Sequence, residues 1–554
     1  MNPTISSGPP AGVHASNQAI ADAYDSVPYL SKPFAQTTPE QMAIMGKLFG
    51  LQPPDITSAR VLELGCSSGG NIIPLAARYP QLQALGIDLS QVQIAQGQQV
   101  LGKLGIENCT LKVLDIVHAQ SEITGQFDYI ICHGVFSWVP PAVRQAILNI
   151  TRKHLSPSGV AYISYNVYPG WKQREVIREM MLLHAGKEGT PAQRLQRAKD
   201  MLQYTKSIST EQTTYGKLLR EEAAHISQAE DYYLFHEYLE NENNPMYFKD
   251  FMALVANHQL AYLGEAGLSD MAPQRLGQDI HNTLARVSAG NILATEQYMD
   301  FFTNRTFRQT LLVHEAQAQH INRNLGPHTL KGFAINTALS VDPAFQVAPG
   351  QSALAQYKDS FGRSLTVNSP MALAMVQTLL AAKPHSVVFE DLVATVAEKV
   401  TEKAPGVVAN ALQAVAHAVG AELINLLVQN LVRLSLAPLP VSLPSPSPLM
   451  PTNSDTLCAF SLARIQAQMG QNWATNLLHQ AVKISPVHQT VLAQLDGTRS
   501  RAVVLADLLL QLKDGRLIAH SGQERITDEA QLKDVAEQLY TQAINDLRQL
   551  AVLQ

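Results

Sequence analysis

From residue 60 onward, short apolar runs alternate with amphipathic stretches at regular spacing. RVLELG (60–65) reads as a first strand, and a small-residue turn leads from it into a helix over 71–79. QALGID (83–88) is a second strand, followed by a helix over 90–104 with Ser90 as its N-cap. CTLKVLD (109–115), FDYIICHG (127–134) and GVAYISYN (159–166) are the next three strands, with a helix over 143–154 before the last. Strands alternating with helices predict a doubly wound α/β sheet, parallel, with helices on both faces.

The pattern then changes. Residues 172–228 are helical, more charged and without a clear strand, as an insertion would be. DYYLFHEYLE (231–240), a helix over 247–259 and LAYLGEA (260–266) read as strand, helix, strand, which would complete the interrupted sheet. Residues 282–324 are again mostly helical, and 331–348 read as an extended linker. An extended run at 361–367 and helices near 371–382, 389–397 and 407–435 suggest a winged-helix-like unit. APLPVSLPSPSPLMP (437–451) is a Pro/Ser linker or wrapped loop, and 459–550 is mainly helical. The expected division is a flexible tail (1–17), a core with an N-terminal covering segment (18–170) and a middle domain (171–330). Within the middle domain, 171–230 is the insertion and 231–267 the sheet-completing part. A winged-helix-like domain (331–450) and a helical C-terminal domain (451–554) follow.

Composition narrows the function. A hydrophobic share of 46% in 554 residues fills several cores. The most apolar stretch, 411–437, is interrupted by His417, Glu422, Asn425, Gln429, Asn430 and Arg433, so no membrane insertion is expected. A net charge of −5, with no Lys/Arg cluster in the C-terminal part, disfavours nucleic acid as a partner. The first 31 residues hold no Lys or Arg and no apolar run, unlike a secretory or transit peptide. Cys66, Cys109, Cys132 and Cys458 form no C-x-x-C pair, so reduced thiols and a cytoplasmic setting are expected. HEYLE and HEAQAQH lack the H-E-x-x-H spacing, and no metal is expected.

The chemistry concentrates in VLELGCSSGGN (61–71). A phosphate-binding P-loop would place Lys after the last glycine, where Asn71 stands. A dinucleotide turn wants glycine at position 67, where its backbone approaches a pyrophosphate, and Ser67 stands there. The remaining candidate is S-adenosylmethionine, which has no pyrophosphate and carries sulfonium and ammonium charges that favour a nearby acid. Glu63 precedes Gly65 by two residues, Asp88 ends the second strand, and Asp115 ends the third. Asp88 is suited to the ribose hydroxyls, Asp115 to an adenine amino group, and Ile116 to covering the ring. The expected cofactor contacts are Glu63, Gly65, Cys66, Ser67, Gly69, Asn71, Asp88, Leu89, Asp115, Ile116 and His133.

The segment after the fourth strand faces the methyl group in such a fold. It reads His133-Gly134-Val135-Phe136 rather than the Asn/Asp-Pro-Pro-Tyr turn of DNA-amine and glutamine-amide methylation, so those acceptors are disfavoured. His133 either acts as a base or packs under the turn. Trp138 either walls the site or anchors the next helix. Tyr24 and Tyr29, before the first strand, are candidates to close over the cofactor, whereas Phe34 and Trp171 fit ordinary packing. Asn304, Arg305 and Arg308 either anchor an acidic substrate group or make internal salt bridges.

YDSVPYLSKPF (24–34), VLELGCSSGGN, GIDLS (86–90), SYNVYPGW (164–171), YFKDFMALVANHQLAYLGEA (247–266) and FFTNRTFRQTLLVH (301–314) resemble the class I methyltransferases that carry a methyltransferase regulatory domain. Among these are the rickettsial-type protein lysine methyltransferases, which modify outer-membrane proteins. LAQLDGTRSRAVVLADLL (492–509) is similar to the C-terminal region of the same group. The resemblance implies a Rossmann-like class I methyltransferase sheet, S-adenosylmethionine as cofactor, a mainly α middle domain and a C-terminal domain that helps present substrate; a protein substrate is expected. Lysine is the favoured acceptor. A small-molecule amine or carboxylate acceptor, and a non-catalytic adaptor that keeps the cofactor pocket, are the alternatives.

Overall fold

Along β4 (Phe127–Cys132), Tyr129 and Ile131 enter one core while Ile130 and Cys132 enter another, so both faces of this strand are covered. The same holds for its neighbours β1 (Arg60–Leu64) and β5 (Leu155–Asn166), and this is why their sequences read as nearly continuous apolar runs. The computed structural model describes residues 30–554 except 241, 346–353, 360, 384, 402–409, 439–455 and 522–523. Tyr24, Tyr29, the expected tail and nearly all of the Pro/Ser stretch lie outside the described residues.

The central sheet has seven strands in the order β3-β2-β1-β4-β5-β7-β6. Its first five, with β2 (Gln83–Asp88) and β3 (Cys109–Val113), run parallel, in the register Leu62 to Leu85 and Ile130 to Ala161. Helices α1 (Pro39–Leu48), α2 (Ile73–Arg78), α3 (Gln91–Leu104), α4 (Ile116–Glu122) and α5 (Pro141–His154) precede or connect them. Ser90 caps α3 by accepting the Gln93 amide, as its position before the helix predicts. The strand order reverses between β1 and its neighbours, which opens a crevice at the carboxyl ends of β1, β2 and β4.

Helices α6 (Gly170–Ala185), α7 (Pro191–Ile208) and α8 (Thr214–Ile226) form the insertion. Residues 231–240, expected as a strand, instead form α9 (Asp231–Tyr238). Leu234, Phe235 and Tyr238 fall on one helical face and join the insertion's core with Ile177, Met181, Leu202 and Ala223. After α10 (Phe248–Asn257), the expected strand is β6 (Leu260–Glu265), at the sheet edge. The stretch read as mostly helical holds α11 (Gln278–Ser288) and α12 (Ile292–Thr303), but also β7 (Phe307–His314). β7 lies between β5 and β6 and is antiparallel to both. The sheet is therefore completed by 260–265 and 307–314.

The supposed linker after 330 supplies β8 (Ala334–Thr337) and β9 (Ser340–Val341). β10 (Ala355–Lys358) pairs antiparallel with both β9 and β11 (Ser364–Val367) as the centre of a small three-stranded sheet. α13 (Pro370–Ala382), β12 (Val387–Val388), α14 (Phe389–Thr401), α15 (Asn410–Val428) and β13 (Val432–Ser435) follow, and β8 lies between β12 and β13. The last block holds β14 (Thr456–Cys458), α16 (Ser461–Gln468), β15 (Trp473–Thr475), β16 (Ala481–Lys483), α17 (Pro486–Leu492) and β17 (Asp496–Ser500). It closes with α18 (Arg501–Lys513), β18 (His520–Ser521), β19 (Glu524–Arg525) and α19 (Glu529–Gln549). One apolar core runs from α1 and one face of the sheet into both of these blocks, through Phe333, Leu423, Leu477 and Leu547. Among the described residues no helix is long and apolar enough to cross a membrane.

Of the two readings of the NRTFR segment, the internal one is realised for its arginines. Arg308 is buried and donates to Glu265 Oε1 at 2.6 Å, Glu296 Oε2 at 3.0 Å and both carboxylate oxygens of Asp300 at 2.8 and 3.0 Å. Arg305 adds a second guanidinium, 3.1 Å from Asp300. This network ties β7 to β6 and α12. Arg308→Met leaves three buried carboxyls short of a counter-charge. Urea unfolding should show a loss of about 3–5 kcal/mol; a loss below about 1 kcal/mol would show that the network does not clamp the sheet edge.

Candidate active site

The turn after β1 is held from several sides. Gly65 has φ +76°, and a Cβ there would lie 2.4 Å from Val135 Cγ2, so turn and post-β4 loop are in contact. Ser67 also adopts a left-handed φ of 52°. Its amide donates to Asp88 Oδ2 at 2.8 Å, and its hydroxyl bonds the Gln93 side chain. Asp88 Oδ1 accepts the Ser90 amide at 2.9 Å. Gly97 of α3 lets that helix touch the turn, because a Cβ there would come within 2.6 Å of the Ser68 carbonyl oxygen.

Glu63 ends β1 facing inward, with 3% of its surface exposed. Oε1 accepts from Asn71 Nδ2 at 2.7 Å, while Oε2 is buried with no partner. Burial pushes the carboxyl up to about 8, against the Asn71 hydrogen bond and helped by nearby Asp88. Asn71 is itself a junction. Its amide oxygen accepts from the Phe34 amide at 3.0 Å and Thr37 Oγ1 at 3.1 Å. Asp115 caps α4, accepting the Val117 amide at 2.7 Å, and Ile116 begins that helix.

His133 immediately follows β4, with Nδ1 3.0 Å from the Tyr162 hydroxyl and 3.2 Å from Ser164 Oγ. Burial pushes its imidazole down to about 4, so the ring is neutral. Phe34 packs on it with ring centroids 4.2 Å apart. Trp138 meets Trp171 edge-on at 6.3 Å.

These groups surround one cavity of about 190 Å³. Its lining brings together Glu63, Gly65, Cys66, Ser67, Asn71, Asp88, Leu89, Asp115, Ile116, His133 and Trp138. Gly69, also expected, sits in the turn at φ +77° but does not line it. Lys32, Phe34 and Gln93 line the cavity as well, as do Tyr233, His236 and Glu237 of α9. Reading α9 as a strand hid this last group, whose i, i+3 and i+4 spacing is the signal that places it on one helical face. Burial, opposed by the guanidinium groups of Arg174 and Arg178 and a hydrogen bond from Tyr233, leaves the Glu237 carboxyl raised to about 7. Among the described residues no group of three or more His, Cys, Asp or Glu side chains is arranged to hold a metal.

Three family models match the chain. Residues 62–161 match a methyltransferase domain, 230–314 a predicted methyltransferase regulatory domain, and 458–552 the PKMT C-terminal winged helix domain. Uncharacterized protein RP789 of Rickettsia prowazekii is 31% identical over 96% of this chain and 93% of its own length. PKMT2 from Rickettsia typhi, in a structure with AdoHcy, superposes with a TM-score of 0.81 at 29% identity, covering 95% of this chain and 100% of that one. The chain belongs to the class I S-adenosylmethionine-dependent methyltransferases that carry the regulatory domain. Uncharacterized protein RP028 of Rickettsia prowazekii is 43% identical over 41% of this chain and 92% of its own length.

The residues fit that cofactor. Glu63 lines the cavity and keeps a buried, unpartnered Oε2 that suits a cation, while Asp88 ends β2 and Asp115 stands two residues beyond β3, both on the same cavity. With its carboxyl at about 8, Glu63 is protonated at pH 7 in the free methyltransferase. A ligand ammonium against Oε2 favours the ionised form, so binding of S-adenosylhomocysteine should release up to one proton and tighten from pH 6 to pH 8. Calorimetry in buffers of different ionisation enthalpy reads both effects, and Glu63→Gln should abolish them. Wild-type affinity that is independent of pH, with no proton released, would contradict this geometry.

Proposed function

We propose that this methyltransferase modifies a protein side chain, with the lysine ε-amine as acceptor. The observation that carries the reading is the α9 group, Glu237 with Tyr233, lining the cofactor cavity beside Trp138. Glu63, Asp88, Asp115 and Glu237 face Lys32 as the one Lys or Arg among the cavity-lining residues. With the other acids given to the cofactor, Glu237 and the aromatic rings remain for the acceptor and suit a cation better than a carboxylate, which disfavours that small-molecule alternative. The family model and the solved relative both bear the PKMT designation, in line with a lysine acceptor.

When bound, S-adenosylmethionine supplies a methyl group on a sulfonium. Glu63 would hold its ammonium, Asp88 its ribose hydroxyls, and Asp115 with Ile116 its adenine. Asp88 already accepts two backbone amides, and a carboxylate takes up to about four hydrogen bonds, so ribose contacts are compatible with that role. A lysine ammonium must lose its proton before its nitrogen can attack. Glu237 would take that proton, since a carboxyl near 7 is matched to the task at neutral pH. His133, pushed down to about 4, is a weak base toward an alkylammonium and would position the site through Tyr162 and Ser164. Phe34 and Trp138 would exclude water and align the amine with the methyl carbon.

The proposed units remain 18–170, 171–330, 331–450 and 451–554; the second also completes the sheet and lines the cavity, the winged-helix match falls at 458–552 rather than in 331–450, and the last two would present the substrate protein. A cytoplasmic setting is supported by four free cysteines, three of them buried.

Radiolabelled methyl transfer into a host lysate, followed by hydrolysis, tests the acceptor. Label in methyl-lysines is expected, and label confined to small molecules would refute the reading. Asp88→Ala should weaken cofactor binding at least tenfold in calorimetry, and unchanged affinity would remove Asp88 from the site. Glu237 must be ionised to accept a proton, so kcat should rise with pH through about 7. Glu237→Gln should lose that rise and about 100-fold in kcat while binding S-adenosylhomocysteine normally.

A further inference from the structure

The cofactor site has a partner from the far end of the chain. β15 and β16 form a hairpin with Thr475 opposite Ala481, and residues 476–480 make its tip. Asn476 Oδ1 accepts the amides of Leu478 at 3.0 Å and Gln480 at 2.8 Å, and the Leu477 amide donates to the Ala551 carbonyl at 2.9 Å. The tip is thus a defined structure, fastened within its own domain. It docks on the methyltransferase core, where Arg78 donates to the Leu477 carbonyl at 2.8 Å. His479, at its apex with a left-handed φ of 56°, is buried and places Nε2 2.9 Å from Asn71 Oδ1.

Asn71 has one orientation in this setting. Its oxygen must face the Phe34 amide, an obligate donor, at 3.0 Å, and its nitrogen must face Glu63 Oε1 at 2.7 Å. His479 therefore donates, which requires the Nε2–H tautomer. Burial together with the Arg78 charge pushes the ring down to about 3, so it stays neutral at physiological pH and keeps that donor. The chain of contacts ends at the carboxyl of Glu63, a cavity-lining residue whose other oxygen, Oε2, is buried without a partner. Among the described residues, Asp88 and the buried thiols of Cys66, Cys109 and Cys132 interact electrostatically with Glu63, and Lys32, Asp115, His133, His236 and Glu237 line the same cavity.

We infer that His479 is a positioning residue for the cofactor site. Through Asn71 it aims Glu63 at the ligand's ammonium, so cofactor affinity depends on the docked hairpin of the C-terminal domain. The assignment is independent of which acceptor is methylated. It also gives the hairpin of a winged-helix domain an intramolecular task in place of a nucleic-acid contact.

The test compares His479→Met, which keeps bulk without a donor, with His479→Gln, which restores an N–H donor, both in the full chain. His479→Met should raise the Kd for S-adenosylhomocysteine about tenfold, raise KM for S-adenosylmethionine similarly, and leave kcat within about twofold. It should also move the pH midpoint of binding. His479→Gln should stay within about twofold of wild type on each measure. Wild-type affinity in His479→Met overturns the assignment, and so does equal loss in both variants with an unmoved pH midpoint. Should His479→Met fail to melt cooperatively, ¹⁵N chemical shifts of the His479 ring in the wild-type chain decide. A neutral Nε2–H tautomer from pH 5 to 9 is expected, and an Nδ1–H or cationic ring overturns the proposal.

Discussion

A carboxyl group buried under the turn that follows the central strand can be kept only if its surroundings are built for it. Glu63 is buried, accepts one hydrogen bond and leaves one oxygen unpartnered. Water would satisfy that oxygen at the surface, whereas burial makes it costly unless a cation arrives. Asn71 keeps the carboxyl in one orientation, and Asn71 is fixed in turn by Phe34, Thr37 and His479. The pre-strand segment, the turn and the C-terminal hairpin all converge on this one buried acid.

Much of the sheet was legible because its strands obey a local rule. β1, β2, β4 and β5 are apolar on both faces, and the Ser90 cap of α3 is written in the residue just before the helix. β7 was not legible from 307–314 alone. Its pairing partners lie in β5 and β6, and only the completed sheet gives its apolar face a place to bury. DYYLFHEYLE failed for the opposite reason. Its aromatic residues favour a strand by propensity, but Leu234, Phe235 and Tyr238 share a helical face that the insertion covers.

The candidate site divides in the same way. Glu63, Asp88 and Asp115 stand at strand ends, where position in the sequence implies position in space. Asp115 also caps a helix, so its presence was doubly determined. His133 was legible as a residue of the crevice, but its proton affinity was not, because that depends on Phe34 and Tyr162 packing around it from elsewhere. Glu237 carried a local signal only once its segment is read as a helix, whereas His479 had none, since it reaches the site from another domain 408 positions away from Asn71.

The distance along the chain between Asn71 and His479 has a consequence for synthesis. The two residues are 408 positions apart, and β7 is likewise made long after the five parallel strands it completes. A ribosome delivers the chain from its N-terminus, and early segments fold before late ones exist. The nascent core therefore passes through a stage with an open sheet edge beside β5 and an acid whose amide neighbour lacks its last donor. Most of the polypeptide must emerge before the crevice reaches its final form, with the contact between His479 and Asn71 among the last to be made.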